Sequence, residues 1–199
     1  MTENPLKEKL KGFKIILGSG SPRRKLFLEE LGLDFEVRPK SVEEIYPKSL
    51  KGKEISEYLA RLKATPFEKE LQKNEILITS DTVVWHNGAS LAKAENSEEA
   101  ARMLRTLSGD WHEVITSVCF TTKDSQRTVS STTKVRFNEF SEDEIHYYIE
   151  KCRPFDKAGA YGIQEWIGMI GISEISGSYT NVVGLPTHLV YKTLMEMAS

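Results

Sequence analysis

Three short segments of the chain carry the residue types from which a reaction could be assembled. The first is SGSPRR, Ser19 to Arg24, which follows an apolar run and leads toward a helix start. Such a loop leaves backbone N–H groups aimed at one point, and that geometry favours an anion such as phosphate. Ser19 and Ser21 add hydroxyls there, and Arg23 and Arg24 add forked guanidinium donors. It is not a P-loop, because GxxxxGK(S/T) is absent. A capped helix carrying two solvated arginines is the plainer reading of the same residues. The second segment, TSDTVV from Thr79 to Val84, puts one carboxylate, Asp81, directly after an apolar strand. Ligands gather at strand ends in open α/β sheets, where a carboxylate holds a divalent cation or takes a proton from water. An Asp that bonds its own backbone in a turn would look the same. The third is DKAGAYGIQ, Asp156 to Gln164, with GSYTNVVGLP, Gly177 to Pro186. Gly159 and Gly162 allow close backbone approach to a flat ligand beside Tyr161, and Gln164 offers a donor and an acceptor; two ordinary turns at sheet edges are the alternative. Taken together, cations (Arg23, Arg24, Lys63, Lys93, Lys157) and carboxylates (Glu44, Asp81, Asp156) beside hydrogen-bonding loops form the kit a nucleoside triphosphate needs. Periodicity does not show that they converge.

The elements that must position them read as one continuous α/β unit without repeats or linkers. Lys14 to Leu17 is a short apolar run ending at Gly18, a buried strand. Ser21 stands at an N-cap with Pro22 at the first helical position, and Leu26, Phe27, Leu28 and Leu31 form the apolar side of a helix closed by Gly32. A second helix is expected over Ser56 to Ala64 with Tyr58, Leu59 and Leu62 inward, ended or kinked by Pro66. Ile76 to Thr79 is a buried strand that continues extended through Val83 to Trp85, toward a turn at Asn87 and Gly88. Ser97 is expected to cap a helix to Leu107, and Ser141 with Glu144 forms a capping box for a helix to Lys151. Val114 to Thr122 and Thr128 to Phe137 read as an antiparallel pair, Ile167 to Ile175 as a further strand, and Pro186 as the start of a C-terminal helix. Helices alternate with strands early and hairpins follow later, which predicts a mixed sheet.

Composition excludes several classes of function. The chain has 199 residues, 29 acidic and 27 basic, for a formal net charge of −2. That balance gives no basic footprint for a nucleic-acid polymer and no polybasic membrane anchor. No apolar run is long enough for a membrane span, and the opening MTENPLKEKLKGFK has no apolar signal region, so a cytoplasmic location is expected. Cys119 and Cys152 are isolated, which argues against a disulfide or zinc framework.

Five motifs in register, SGSPRR, SDTVV, Ser108–Gly109 followed by HEVITSV (His112 to Val118), DKAGAYGIQ and NVVGLP, resemble the Maf nucleotide pyrophosphatases, once called septum formation inhibitors. Each motif is weak alone. The likeness runs from about Lys14 to Met197, and the expectation is a single Maf-like domain over 1–199 with residues 1–13 as an N-terminal extension. The resemblance implies an α/β fold with a mixed twisted β-sheet and flanking helices, two lobes around a long cleft, related in shape to the inosine triphosphate pyrophosphatases and commonly a homodimer. It implies hydrolysis of a nucleoside triphosphate between the α and β phosphates with Mg²⁺ or Mn²⁺. Asp81 matches the family's proposed proton acceptor, Arg24, Glu44, Lys63 and Lys93 match the polar positions that line its cleft, and Ser19 and Ser21 match the phosphate-side serines. Catalytic roles are expected of Asp81, Arg24, Lys63 and Lys93, with the divalent ion on Asp81 and Glu44. Arg23, Thr82 and Gln164 match the trio found in members acting on dTTP and UTP, whereas members acting on 7-methyl-GTP carry Trp, Gln and Glu there. The chemistry agrees, because uracil and thymine present an N3–H flanked by carbonyls, which a neutral amide meets, while methylated guanine presents two donors on a cationic ring. Two positions depart from the family pattern. Ala94 stands where a proline usually follows Lys93, which predicts a looser loop, and Pro66 falls shortly after Lys63, which predicts a shorter helix. The alternative from another class is a nucleotide-sensing regulator of division that binds a triphosphate without cleaving it.

Overall fold

A computed structural model describes residues 3–198. Its centre is a seven-stranded mixed sheet. Strand β1 (Lys14–Leu17) lies between β2 (Phe35–Val37) and β3 (Glu75–His86) and is parallel to both. On the far side of β3 the sheet turns antiparallel through β5 (Trp111–Thr121), β6 (Gln126–Phe137) and β7 (Ile172–Ser176), while β4 (Ala89–Leu91) pairs back onto the end of β3. The helices are α1 (Pro5–Lys9), α2 (Pro22–Glu30), α3 (Lys53–Leu62), α4 (Ser97–Leu107), α5 (Glu142–Cys152), α6 (Trp166–Gly171), α7 (Tyr179–Val183) and α8 (Thr187–Met197).

Alternation along the two longest central strands divides the core. On one face, Ile76 and Ile78 of β3 and Val118 and Phe120 of β5 join a cluster completed by Leu28, Leu185, Val190 and Leu194. Farther along the same face, Val84 and Val114 join a second cluster with Leu104, Val135, Phe137 and Tyr148. Between the two clusters the inward positions are polar: Ser80 and Thr82 on β3 and Thr116 on β5, with Thr82 directly opposite Thr116. The two lobes are therefore two apolar cores on one continuous sheet, separated by a polar seam. The opposite face is covered by α3, whose Ile55 and Leu59 pack on Val83 and whose Ala60 belongs to a cluster with Ile16, Leu77 and Phe67. Asp81 and Ser117 face each other in register on that side. Residues of the N-terminal extension take part in the core: Leu6 of α1 and Leu10 are buried against α8.

Several local expectations change. Residues 167 to 175 are not one strand: α6 turns through Gly171 before β7 begins at Ile172. Ile167 is buried while Met169 and Ile170 are exposed, a one-sided helical pattern, and Gly168 packs so close that a Cβ would lie 1.9 Å from the Ile163 carbonyl. A short apolar run does not distinguish a buried strand from a buried helical turn. Leu26, expected inward, is 52% exposed; α2 is narrow on its buried side, with Leu28 fully buried and Phe27 and Leu31 packed partway. The cap of α4 is Asn96 rather than Ser97, its Oδ1 accepting from Glu99 N–H at 2.9 Å. Ser21 holds the N-cap position of α2 without a side-chain cap bond; its own N–H donates to Ser19 Oγ at 3.2 Å. Pro66 does close the helical run, in a 3₁₀ turn over Thr65–Phe67, and α3 ends at Leu62 with Lys63 as its C-cap. The Ser141–Glu144 capping box is present.

Candidate active site

A cleft of about 990 Å³ opens over the central strands, and every site residue singled out in the sequence lines it: Ser19 and Ser21 from the β1–α2 loop, Arg23 and Arg24 from the first turn of α2, Glu44, Lys63, Asp81 and Thr82, Lys93, and Gln164. The β1–α2 loop reaches it because Gly18 runs close over β3, where a Cβ would meet Thr79 Cγ2 at 2.8 Å. Lys63 reaches it from the end of α3, and Asp81 from the middle of β3.

Lys63 Nζ lies 2.5 Å from Asp81 Oδ1 and 3.2 Å from Glu44 Oε1, bridging two carboxylates from different segments. Burial pushes the Asp81 carboxyl above its ordinary range, and the Lys63 ammonium and the Arg24 guanidinium pull against that shift. Arg24 is held by neutral oxygens: its Nε donates to the Gly184 carbonyl at 3.1 Å, Nη1 to Ser19 Oγ at 3.3 Å and Nη2 to Thr82 Oγ1 at 3.4 Å. Burial lowers its pKa, opposed by Asp81. A partly desolvated cation with neutral acceptors is an incomplete site for an anion.

At the other end of the cleft Arg23 Nη1 donates to Asp156 Oδ2 at 3.1 Å, and Lys157 Nζ lies 2.6 Å from Asp156 Oδ1 and 3.0 Å from Glu165 Oε1. Burial would raise Asp156, but hydrogen bonds from Lys157 and Arg23 outweigh it and hold that carboxyl low. Tyr148 donates to Glu165 Oε2 at 2.5 Å and accepts from the Gly162 N–H at 3.0 Å. Gly162 has no room for a side chain, since a Cβ would stand 2.8 Å from the Glu165 carboxyl carbon. Glu165 thus ties both ends of the 157–165 loop, and Gln164 sits in that loop with its Oε1 buried and unpartnered. A buried amide oxygen without a donor is an acceptor awaiting one.

Lys93 is exposed at the cleft rim, with no ion pair among the described residues. Its backbone forms an isolated antiparallel bridge with Ala158, and Gly159 N–H donates to Leu91 and Ala92 carbonyls nearby. Ala94 is buried in the larger core cluster. The loosening expected from the missing proline is therefore countered by pairing and burial.

No group of three or more His, Cys, Asp or Glu side chains capable of holding a metal ion occurs among the described residues. Asp81 and Glu44, joined through Lys63, fit instead an ion that arrives with a ligand's phosphates, because Mg²⁺ keeps several waters and takes one or two carboxylates from the protein.

The model of the family described as Maf-like protein matches residues 14–197. The chain belongs to the Maf family. Curated Maf relatives cover nearly the same length: a dTTP/UTP pyrophosphatase of Flavobacterium johnsoniae is 57% identical over 96% of this chain and 99% of its own. One of Christiangramia forsetii is 52% identical over 96% of this chain and 98% of its own. One of Bacteroides fragilis is 47% identical over 93% and 96%. Among solved structures, the Staphylococcus aureus Ham1 protein matches with a TM-score of 0.51 at 18% identity, over 92% of this chain and 99% of that one, a likeness of fold alone.

Within this Maf site, no role was assigned from the sequence to Thr116, Asn181, the Gly184 carbonyl, Tyr148 or Glu165. Thr116 lies inside HEVITSV as a polar residue at an inward position between Val114 and Val118, and Asn181 and Gly184 lie inside NVVGLP, whereas Tyr148 and Glu165 stand outside every quoted motif.

Proposed function

We propose that this protein hydrolyses dTTP and UTP to the nucleoside monophosphate and pyrophosphate, by attack of water on the α phosphorus and departure of pyrophosphate. The observation that carries the reading is that cations, carboxylates and a free amide acceptor from segments more than 140 residues apart, Ser19 to Gln164, line one cleft. The relatives' name, dTTP/UTP pyrophosphatase, agrees with it.

Arg24 carries five N–H donors, three of them engaged, so two remain for phosphate oxygens. Lys63, Lys93, Ser19 and Ser21 add further donors along the phosphates. Asp81 gives Oδ1 to Lys63 and keeps Oδ2 for the attacking water, which it orients or deprotonates. Little covalent chemistry is asked of the protein in phosphoryl transfer, so positioning and charge stabilisation dominate. Asp81 and Glu44 would hold the Mg²⁺ or Mn²⁺, which when bound neutralises phosphate charge. Arg23 and Gln164 face the base, and the unpartnered Gln164 Oε1 supplies the acceptor that the N3–H of uracil or thymine requires. Thr82, from the same trio, meets Arg24 Nη2 instead.

No helix among the described residues is long and apolar enough to cross a membrane. A cytoplasmic homodimer remains part of the proposal on family grounds. The test is incubation of the pure protein with dTTP and UTP, beside CTP and 7-methyl-GTP, with Mg²⁺, Mn²⁺ or EDTA. Release of pyrophosphate and monophosphate, dependent on the ion, is expected. Nucleotide binding without any cleavage would replace this reading with the sensor of cell division.

A further inference from the structure

The polar seam between the two cores contains a closed ring of hydrogen bonds whose proton directions are determined by its members. Thr116 donates its single hydroxyl proton to the Asn181 carbonyl at 2.9 Å. The 2.9 Å contact between Thr82 Oγ1 and Thr116 Oγ1 must therefore use the proton of Thr82. With that proton spent, Thr82 meets Arg24 Nη2 as an acceptor. The second arm leaves Arg24 through Nε to the Gly184 carbonyl, and the Gly184 N–H donates at 3.1 Å to the same Asn181 carbonyl. Both arms of the guanidinium thus end on one backbone oxygen.

That oxygen is itself held. Asn181 is fully buried, and its side-chain amide donates to the Val114 carbonyl and to Thr133 Oγ1, both at 2.9 Å. Gly184 closes the ring at φ +125°, a conformation that L side chains rarely adopt. The ring sits where apolar alternation along β3 and β5 is interrupted, so polar groups here have been buried at the expense of a continuous core.

We propose that Thr116 is a positioning residue for the reaction: through Thr82 and the Asn181 carbonyl it fixes the plane of Arg24, and Thr82 acts on catalysis through Arg24 rather than by reading the base. The inference rests on the pyrophosphatase reading above. A fork of N–H donors discriminates between ground and transition state only if its plane is fixed, and a small misplacement of such a group is costly in rate.

The experiment compares Thr116→Val and Thr116→Ser with Thr82→Val and Thr82→Ser in the full chain, measuring kcat and KM for dTTP, UTP and CTP together with melting temperature. The wild type is assayed first; if it releases no pyrophosphate, the pyrophosphatase reading fails and the variants are not needed to show it. With an active wild type, each Val variant should lose about tenfold to a hundredfold in kcat, alike for dTTP and UTP. Each Ser variant should restore turnover to within about twofold, because it keeps the hydroxyl. The double Val variant should be no worse than either single one, since both cut the same chain. The ratio of dTTP to CTP turnover should stay constant. Thr116→Val with wild-type kcat overturns the proposal, as does a Thr82 variant that keeps kcat and changes the base ratio. Should Thr116→Val fail to fold, the Thr82 pair decides the question by the same readings.

Discussion

Lys63 Nζ and Asp81 Oδ1 are in contact at 2.5 Å, but the dependence between them is one-sided. Lys63 has a second carboxylate, Glu44, at 3.2 Å, whereas Asp81 is buried with Lys63 as its only direct cationic partner among the described residues. Removing the carboxylate leaves a paired lysine; removing the lysine leaves a buried charge.

Asp81→Asn should therefore reduce pyrophosphate release by at least about a thousandfold. Its melting temperature should match or exceed the wild type, because a desolvated charge is removed and Glu44 still holds Lys63. Lys63→Met should be inactive and also destabilised by about 3 kcal/mol, and adding Asp81→Asn to it should recover most of that loss. Denaturant titration of the three variants gives the ordering, and equal destabilisation by the two single changes would contradict it.

Gln164→Glu should lower kcat/KM for dTTP and UTP by about a hundredfold, since a carboxylate offers no donor to the base carbonyls and is buried beside Glu165. Melting temperature should fall as well, because the new carboxylate stands beside Glu165, so selectivity rather than stability is the deciding readout. Selectivity among dTTP, CTP and 7-methyl-GTP identical to wild type would remove Gln164 from base recognition.

Glu165 has no role on the phosphates in the proposed reaction, yet it accepts from Tyr148 and pairs with Lys157 around the loop carrying Gln164. Glu165→Gln should cost about 2 kcal/mol of stability and raise KM more than it lowers kcat. Gly162→Ala should do the same by steric means, because its Cβ would meet the Glu165 carboxyl. A loss confined to kcat would show that the loop acts on the reacting phosphate and not on the base.

His112 supplies a pH dependence of stability. It is 3% exposed, its Nε2 lies 2.7 Å from the Tyr161 hydroxyl, Phe137 packs against its ring, and its Nδ1 has no partner. Burial, helped by nearby His86 and opposed by Asp110, lowers its pKa from 6.5 to about 4. The folded state therefore favours neutral His112: stability is complete above pH 6.5, declines as pH falls from there toward 4, and changes no further from this group below that. The full difference is roughly 3 kcal/mol. His112→Gln should flatten the decline between pH 6.5 and 4 in urea titrations, measured against wild type so that the contribution of the carboxylates cancels. Parallel wild-type and variant curves would place the titration elsewhere.

Local signals were strong where the sequence speaks about neighbours along the chain. Pro22 after Ser21, the Ser141–Glu144 box and the apolar run of β1 each act within a few residues, and the structure has those elements. The run from Ile167 misled because its apolar residues do not divide by alternation: Ile167 is buried while Met169 and Ile170 are exposed, and the turn is closed by the Gly168 and Met169 N–H groups on the Glu165 carbonyl.

Residue types and their order along the chain set which groups were available: a loop rich in hydrogen-bond donors, a carboxylate following a strand, and an amide in a glycine-bearing loop. How those groups are held follows from the folded contacts. That Lys63 serves two carboxylates, that Glu165 fastens the Gln164 loop, and that Thr82 has spent its proton on Thr116 depend on contacts between residues 8 to 160 positions apart. Hydrogen-bond direction and burial are properties of such distant contacts, and no spacing along the chain encodes them.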